Sequence, residues 1–312
     1  MQNKEQYSPQ QIIIPLATNW FSCVTVVLVN KFVFRRWPFG TTLSAIHFVV
    51  NFIGLSIACH FKVFDYKKLS ILKVFPLAFA FCFSIFLNNL SIQFNPIGTY
   101  QTLKIAVTPC VCMIEMFILK IKISLKAQIS MIIMLVGIGL CTISRFDGNN
   151  TLSGFLIGLS GVIATAMYQI MSKTKQKELN CNEYQLLLYE TPLSALILWI
   201  IVPFIENYAW DDPKSIWHQS YTSDLILAIC FTALMSTLIN ISLFVAIKRT
   251  SALTYNIVSN MKTVSILLLG TLMFKEKLSL RQVIGMIIAV FGVICYSSVK
   301  MMEAKKIQQQ NN

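Results

Sequence analysis

The sequence predicts an all-α polytopic membrane protein of ten transmembrane helices, arranged as two inverted five-helix repeats. The first supporting observation is composition: of 312 residues, 55% are hydrophobic and 12% are charged, against about 25% charged residues in ordinary soluble domains. The second is a series of long apolar segments, and the third is a likeness between the two halves of the chain. This composition excludes a soluble enzyme, a disordered chain and a nucleic-acid-binding domain.

Ten apolar segments are long enough to cross a bilayer, whose core requires about 20 residues of helix. The segments are continuous and lack the ten-residue alternation of a membrane β-barrel. In chain order, the predicted spans are Ile12–Phe34, Thr41–Phe61, Val74–Gln93, Thr99–Leu119, Ala127–Ser144, Leu152–Ser172, Tyr184–Ile205, Asp224–Ile247, Ala252–Phe274 and Leu280–Val299. Short loops and two tails account for the remaining residues, so we expect no soluble domain.

The basic residues predict the orientation of the chain, which has a net charge of +13. If the N-terminus is cytosolic, the cytosolic segments contain about twice as many lysines and arginines as the opposite segments, an excess typical of cytosolic loops. The longest loop on the opposite side, Glu206–Ser223, contains Asp211 and Asp212 and little positive charge. We therefore expect both tails, residues 1–11 and 301–312, to be cytosolic.

The two halves resemble each other around spans four and nine. A Thr-Tyr pair opens both spans, at residues 99–100 and 254–255, and a Lys-x-Lys-[Ile/Leu]-Ser motif closes both, at residues 120–124 and 275–279. With five spans in each half, the second copy enters the membrane from the opposite side. The predicted repeats, residues 12–147 and 148–300, are therefore inverted, which is typical of alternating-access transporters.

A lysine in each of these two spans forms the main candidate site. A lysine at the centre of a membrane helix costs about 2.5–3.5 kcal/mol, so we expect Lys104 and Lys262 to face a water-filled cavity. Two cations in one cavity suit a substrate with two or more negative charges. Helical spacing places further polar side chains beside them, namely Tyr100 and Thr108 in span four, and Tyr255, Asn256, Ser259 and Thr263 in span nine. A salt bridge with Glu115 or Glu190 is the alternative for either lysine.

Other spans contain further polar candidates. Lys31, at the end of span one, is either a third cation at the cavity mouth or an interfacial lysine that reaches water. His47 in span two is either a hydrogen-bonded core residue or a ligand contact. Asn88 and Asn89 in span three are expected to form interhelical hydrogen bonds. Tyr189 in span seven either stacks on a base or packs in the core.

The nine cysteines are interpreted as small apolar packing residues. The chain has no CxxC pair and no His-Cys cluster at zinc spacing. We therefore expect no metal, no cofactor and no disulfide framework.

Several of these motifs together carry a family resemblance over residues 12–300. They are Asn30-Lys31, Asn89-Leu90-Ser91-Ile92-Gln93, Gly98-Thr99-Tyr100-Gln101-x-x-Lys104 with Thr108-Pro109, Gln185-Leu186-Leu187-Leu188-Tyr189-x-x-Pro192, and Thr254-Tyr255-Asn256 followed by Lys262-Thr263. The chain thereby resembles the nucleotide-sugar and triose-phosphate translocator family of the drug/metabolite transporter superfamily (solute carrier family 35 in animals).

The resemblance implies a secondary antiporter and not an enzyme. The pair Lys262-Thr263 stands where the plastid branch has Lys-Arg, and is similar to the branch that carries UDP-sugars such as UDP-galactose, UDP-xylose or UDP-rhamnose. Such a protein exchanges a nucleotide sugar entering the lumen for a nucleoside monophosphate, here UMP. Lys104 and Lys262 would neutralise the phosphates, while Tyr100, Gln101, Tyr255 and Asn256 would orient base and sugar.

Two other functions stay open at the level of sequence. One is an exchanger of triose phosphate or another sugar phosphate, and the other is a membrane-embedded enzyme or a non-transporting regulatory protein. The resemblance implies the Golgi membrane, with the endoplasmic reticulum as the alternative. A homodimer is one of the oligomeric states that the sequence leaves open.

Overall fold

The computed structural model describes residues 8–118, 120, 123–143, 149–249, 262–266, 268–270, 272–274 and 279–310. In chain order, its α-helices are α1 (Pro9–Arg36), α2 (Gly40–His60), α3 (Ile71–Phe94), α4 (Ile97–Ile105), α5 (Val107–Phe117), α6 (Leu125–Ile143), α7 (Asn149–Glu178), α8 (Glu183–Ile205), α9 (Ser223–Arg249) and α10 (Leu280–Gln310). A short 3₁₀ helix, Ile216–His218, precedes α9. Residues 262–266, 268–270 and 272–274 are also helical, and we call them the Lys262 segment.

Within these described residues, seven helices are long and apolar enough to cross a membrane, namely α1, α2, α3, α7, α8, α9 and α10. Shorter apolar helices occur in α6 and in the Lys262 segment. All regular secondary structure in the described ranges is helical, as expected where the backbone must satisfy its own hydrogen bonds in lipid. The prediction of an all-helical membrane protein is confirmed.

The predicted span Thr99–Leu119 is not one regular helix, because the helix is interrupted at Ala106 between α4 and α5. Pro109 has no N–H to donate to the carbonyl of Ile105, four residues earlier, and its ring crowds that carbonyl. The N–H of Ala106 instead bonds to the carbonyl of Leu103 at 2.9 Å, the shorter spacing of a 3₁₀ turn. The break therefore lies two residues after Lys104.

Side-chain caps determine where several helices begin. Reciprocal capping boxes start α1, α8 and α10, in the pairs Ser8–Gln11, Asn182–Gln185 and Ser279–Gln282. The start of α2 is capped from a distant part of the chain, since the carboxylate of Glu206 accepts hydrogen bonds from the N–H groups of Thr41 (2.6 Å) and Thr42 (3.1 Å). This contact joins the beginning of the segment between α8 and α9 to the N-terminus of α2.

The helices pack in a limited set of pairs. The most extensive are α6 with α10, α1 with α9, α3 with α7, and α2 with α8, followed by α2 with α9 and α3 with α8. Small residues allow α6 and α10 to approach closely: a Cβ on Gly137 would lie 2.3 Å from the backbone nitrogen of Ala289, and one on Gly292 would lie 2.7 Å from that of Met134. The two helices therefore meet backbone to backbone.

Polar side chains join neighbouring helices, as predicted for span three. Asn88 donates to the hydroxyl of Thr165 on α7 at 2.8 Å, and Asn89 donates to the hydroxyl of Ser44 on α2 at 2.5 Å. His47 is buried and its Nε2 lies 3.1 Å from the hydroxyl of Thr232. His47 is thus a hydrogen-bonded core residue.

Candidate functional site: a cavity that contains two lysines

A cavity of about 430 Å³ lies between α1, α4, α5, α9, the Lys262 segment and α10. Its polar lining consists of Cys23, Gln101, Lys104, Thr108, Lys262 and Thr263, and the rest of its wall is aliphatic. The structure thereby brings five of the residues singled out in the sequence into one cavity. The two lysines come from opposite halves of the chain.

Lys104 is the last basic residue of α4 before the break. Its Nζ lies 5.1 Å from the centre of the Tyr100 ring, within the range of a cation–π interaction. Tyr100 is buried in an apolar cluster with Val33, Phe34 and Ile92, whereas Lys104 is exposed. Because Lys104 lines the cavity, its exposed surface faces the cavity. The ring of Tyr100 packs against the ammonium group.

Lys262 is more enclosed, with 7% of its surface exposed. Its Nζ donates to the Oδ1 of Asn19 at 2.8 Å and lies 3.7 Å from the Sγ of Cys23. Asn19 is fully buried. Sequence reasoning did not identify Asn19 or Cys23, although an amide near the middle of an apolar span is a polar group that must find a partner in the protein.

Two further features of the wall favour an oxygen-rich ligand. Gln101 is buried, and its Nε2 has no hydrogen-bond partner within the described part of the chain; an unsatisfied buried donor costs about 1–3 kcal/mol. Thr108 is the second residue of α5, so the N-terminus of this helix, with its partial positive charge, lies beside the cavity. A bound anion would interact favourably with both.

The remaining site predictions fall elsewhere. Lys31 is buried, and its Nζ donates to the carbonyls of Ile92 and Asn95 at 2.5 and 2.7 Å, so it ties α1 to the end of α3. Tyr189 lines a separate groove of about 650 Å³ between α2, α3 and α8, where its hydroxyl lies 2.6 Å from that of Tyr66. Tyr255, Asn256 and Ser259 lie outside the described residues.

The two intramembrane glutamates have partners other than the cavity lysines among the described residues. Glu115 forms an ion pair with Lys173 at 3.3 Å. Glu190 is buried beside the hydroxyl of Tyr168. The alternative of a Lys–Glu salt bridge at the site is therefore not observed in the described ranges. Within the same ranges, no cluster of His, Cys, Asp and Glu side chains could hold a metal ion.

A family model described as the Triose-phosphate Transporter family matches residues 11–297. The chain belongs to this family. The resemblance inferred from the motifs is thus confirmed, and the match includes every helix that lines the cavity.

Curated members of the same family are similar over most of the chain. UDP-xylose transporter 2 of Arabidopsis thaliana is 32% identical over 284 residues, which cover 90% of this chain and 79% of the relative. UDP-rhamnose/UDP-galactose transporter 2 of the same plant is 28% identical, covering 95% of this chain and 85% of the relative. Both relatives are transporters, in agreement with the expectation that this chain is not an enzyme.

A solved structure, described as "Crystal structure of protein", aligns with a TM-score of 0.56 over 91% of this chain and 97% of its own. At 12% sequence identity it supports the fold alone.

Proposed function

We propose that this protein is a nucleotide-sugar antiporter that carries a UDP-sugar of the UDP-xylose, UDP-galactose or UDP-rhamnose type into an organelle lumen in exchange for UMP. The observation that carries the proposal is the pair Lys104 and Lys262, which lie in one cavity within the membrane-spanning bundle. The UDP-sugar transporters among its relatives give the substrate class.

The chemistry of the cavity suits a pyrophosphate. A UDP-sugar has two negatively charged phosphates, and each would interact with one ammonium group in a site of low dielectric constant, where ion pairing is strong. Gln101, Thr108 and Thr263 would provide hydrogen bonds to phosphate, ribose or base. A cavity of about 430 Å³ falls within the range of about 300–1,000 Å³ usual for small-molecule sites.

An inverted repeat of ten spans, with residues 12–147 and 148–300 as its halves, provides the alternating access. Under exchange of the halves, α1 corresponds to α7, α2 to α8, α3 to α9 and α6 to α10. The α1–α9 contact then becomes the α3–α7 contact, and the α2–α9 contact becomes the α3–α8 contact. Each predicted counterpart is among the observed helix pairs, which supports the repeat. Ser124 and Ser279 also occupy equivalent places, immediately before α6 and α10.

The transport cycle requires the cavity to open to each side in turn. On the side of the 206–222 segment, an apolar cluster that includes Phe34, Tyr100 and Ile229 is buried, and Lys31 ties α1 to α3. These contacts must separate for substrate to leave on that side. In the empty cavity the two ammonium groups repel each other, so an anion that binds both favours the change of conformation. We place both tails in the cytosol and the protein in the Golgi membrane, with the endoplasmic reticulum as the alternative.

Counterflow into proteoliposomes tests the proposal. Vesicles that contain the purified protein are preloaded with UMP, and uptake of labelled UDP-xylose, UDP-galactose and UDP-rhamnose is measured against vesicles loaded with buffer. We expect UMP-dependent uptake of at least one of them, and little uptake by Lys262→Ala. Uptake by Lys262→Ala equal to that of the unmodified protein would show that the lysine has no role in binding.

The family's own description favours one second candidate, an exchanger of triose phosphates or other sugar phosphates. The same vesicles distinguish the two functions by competition. A nucleotide-sugar antiporter is inhibited by excess UMP and not by excess triose phosphate or inorganic phosphate. Inhibition by excess triose phosphate or inorganic phosphate, and not by excess UMP, would show that the protein is a sugar-phosphate exchanger.

A further inference from the structure

The contacts of Asn19 point to a role in the anion site that goes beyond packing. Asn19 is fully buried, and its amide contacts three residues in two distant parts of the chain. Its Nδ2 donates to the carbonyl of Ile239 at 2.9 Å and to the hydroxyl of Ser242 at 3.2 Å, both on α9, while its Oδ1 accepts from Lys262 at 2.8 Å. Asn19 therefore lies where α1, α9 and the Lys262 segment meet.

The hydrogen-bond network determines which way the amide faces. A carbonyl oxygen can only accept, so the atom of Asn19 beside Ile239 must be the NH₂ group. The hydroxyl of Ser242 donates to the carbonyl of Leu238, so towards Asn19 it acts as an acceptor. The amide oxygen is thus the only part of the side chain left to face Lys262. An ammonium group can only donate, so an amide oxygen facing Lys262 is also what the lysine requires.

We propose that Asn19 is a positioning residue for Lys262: its neutral amide oxygen fixes the ammonium group at the cavity wall without cancelling the positive charge. An aspartate at this position would have almost the same shape but would form an ion pair with Lys262, which is stronger than a neutral hydrogen bond. An anionic substrate would then have to compete with a permanent carboxylate. The chemistry therefore favours a neutral acceptor over a carboxylate at this position. This inference deepens the proposed function and rests on it for its transport measurement.

Cys23 provides a probe of this charge that does not depend on transport. Its thiol lines the cavity, 3.7 Å from the Lys262 ammonium group and 4.0 Å from the Oδ1 of Asn19. In a variant that keeps Cys23 and has alanine at the other eight of the nine cysteines, we would measure reaction rates in detergent with anionic sulfonatoethyl methanethiosulfonate and neutral methyl methanethiosulfonate. The ratio of the two rates reports the local potential, because changes in thiol ionisation or in folding affect both reagents alike.

Asn19→Asp should lower the ratio of anionic to neutral rate by about tenfold or more, since a new unit charge within about 4 Å has a large effect at an effective dielectric constant near 20. The matched control is Asn51→Asp, the same change at another buried amide that contacts α9, where Asn51 accepts from Ser236 and Thr237. We expect Asn51→Asp to change the ratio by less than about twofold. An equal ratio in Asn19→Asp and the unmodified protein, or an equal fall in both variants, would overturn the proposal.

Asn19→Ala gives a second measurement if the aspartate variant does not fold. It removes the acceptor and leaves the lysine charge, so the KM for UDP-sugar in counterflow should rise about tenfold, through loss of orientation, while the reagent ratio stays near that of the unmodified protein. Ser242→Ala removes only the α9 partner and should leave the KM within about twofold, since the amide oxygen still holds Lys262. An unchanged KM in Asn19→Ala contradicts the positioning role. Absence of counterflow in the unmodified protein, with the expected reagent ratios, would count against the proposed substrate alone.

Discussion

Replacing Gly137 with alanine tests the close packing of α6 on α10. A Cβ at Gly137 would lie 2.3 Å from the nitrogen and 2.7 Å from the Cα of Ala289, and 2.7 Å from the carbonyl oxygen of Gly285. These are backbone atoms, so no side chain can rotate to make room. The two helices would have to separate by about 1 Å, and overpacking of this kind costs about 1–3 kcal/mol.

Gly139 provides the matched control, two residues further along the same helix. Among the described residues, no atom lies within 4 Å of a Cβ placed there, so Gly139→Ala should be neutral or should gain up to about 1 kcal/mol of helix propensity. With about 2–4 °C per kcal/mol for a large domain, the melting midpoint of Gly137→Ala should lie about 5 °C below that of Gly139→Ala. The midpoints can be measured by size-exclusion chromatography after heating in detergent. Equal midpoints for the two variants would refute the backbone-to-backbone contact.

Three further predictions concern the helix break, the separate groove and the loop. Pro109→Ala restores a backbone donor and lets α4 and α5 join, so the melting midpoint should rise. The rate of counterflow should fall about tenfold, because Lys104 is displaced. An unchanged rate would show that transport does not need the break. Tyr189→Ala should leave the KM for UDP-sugar within about twofold, because this ring lies in another groove. A tenfold rise in the KM would instead show that the ring contacts the substrate. Hydrogen bonds from the backbone of Lys214 and from a neighbouring amide lower the pKa of Asp212. The ionised carboxylate therefore stabilises the loop fully above the ordinary aspartate pKa of about 4. This stabilisation is lost as the pH falls through the lowered pKa. The pH profile of Trp217 fluorescence should therefore differ between the unmodified protein and Asp212→Asn at neutral pH, and the difference should vanish below about pH 4; identical profiles at neutral pH would contradict this.

Hydropathy predicted the positions of the described helices well, because the membrane imposes both their length and their apolar surface. The span predicted at Tyr184–Ile205 corresponds to α8, which begins one residue earlier, at Glu183. One difference is in α7, which reaches Glu178, beyond the predicted end at Ser172, through the polar residues 173–178. A hydropathy profile identifies only the apolar part of a helix, so it does not predict polar helical turns beyond that part.

The break at Ala106 was missed although its cause is visible in the sequence. Pro109 lies in the middle of an apolar run whose mean hydropathy it hardly changes, so an argument from hydropathy alone treats the run as continuous. The backbone consequence depends on the carbonyl four residues earlier. Prolines alone do not identify such a break, because Pro15, Pro192 and Pro203 lie inside helices α1 and α8, which continue past them.

The candidate site was predicted in part. Lys104 and Lys262 could be identified because a lysine deep in a membrane helix is costly and therefore suggests a cavity. Asn19 could not be assigned to Lys262, since the two residues are 243 positions apart and only the packing of α1 against α9 and the Lys262 segment brings them together. Tyr189 was a candidate because of its aromatic ring and its place in the motif at residues 185–192, and the structure places its ring in another groove.

The most direct test of a shared anion site is the binding of UMP to the purified protein by isothermal titration calorimetry. Lys104→Met and Lys262→Met should each raise the Kd by about thirtyfold or more, because losing one partner of a buried charge pair costs about 2–5 kcal/mol, and the double variant should show no binding. Lys173→Met, which changes a lysine paired with Glu115 outside the cavity, should leave the Kd unchanged. A double variant that binds UMP as tightly as the unmodified protein would contradict the account.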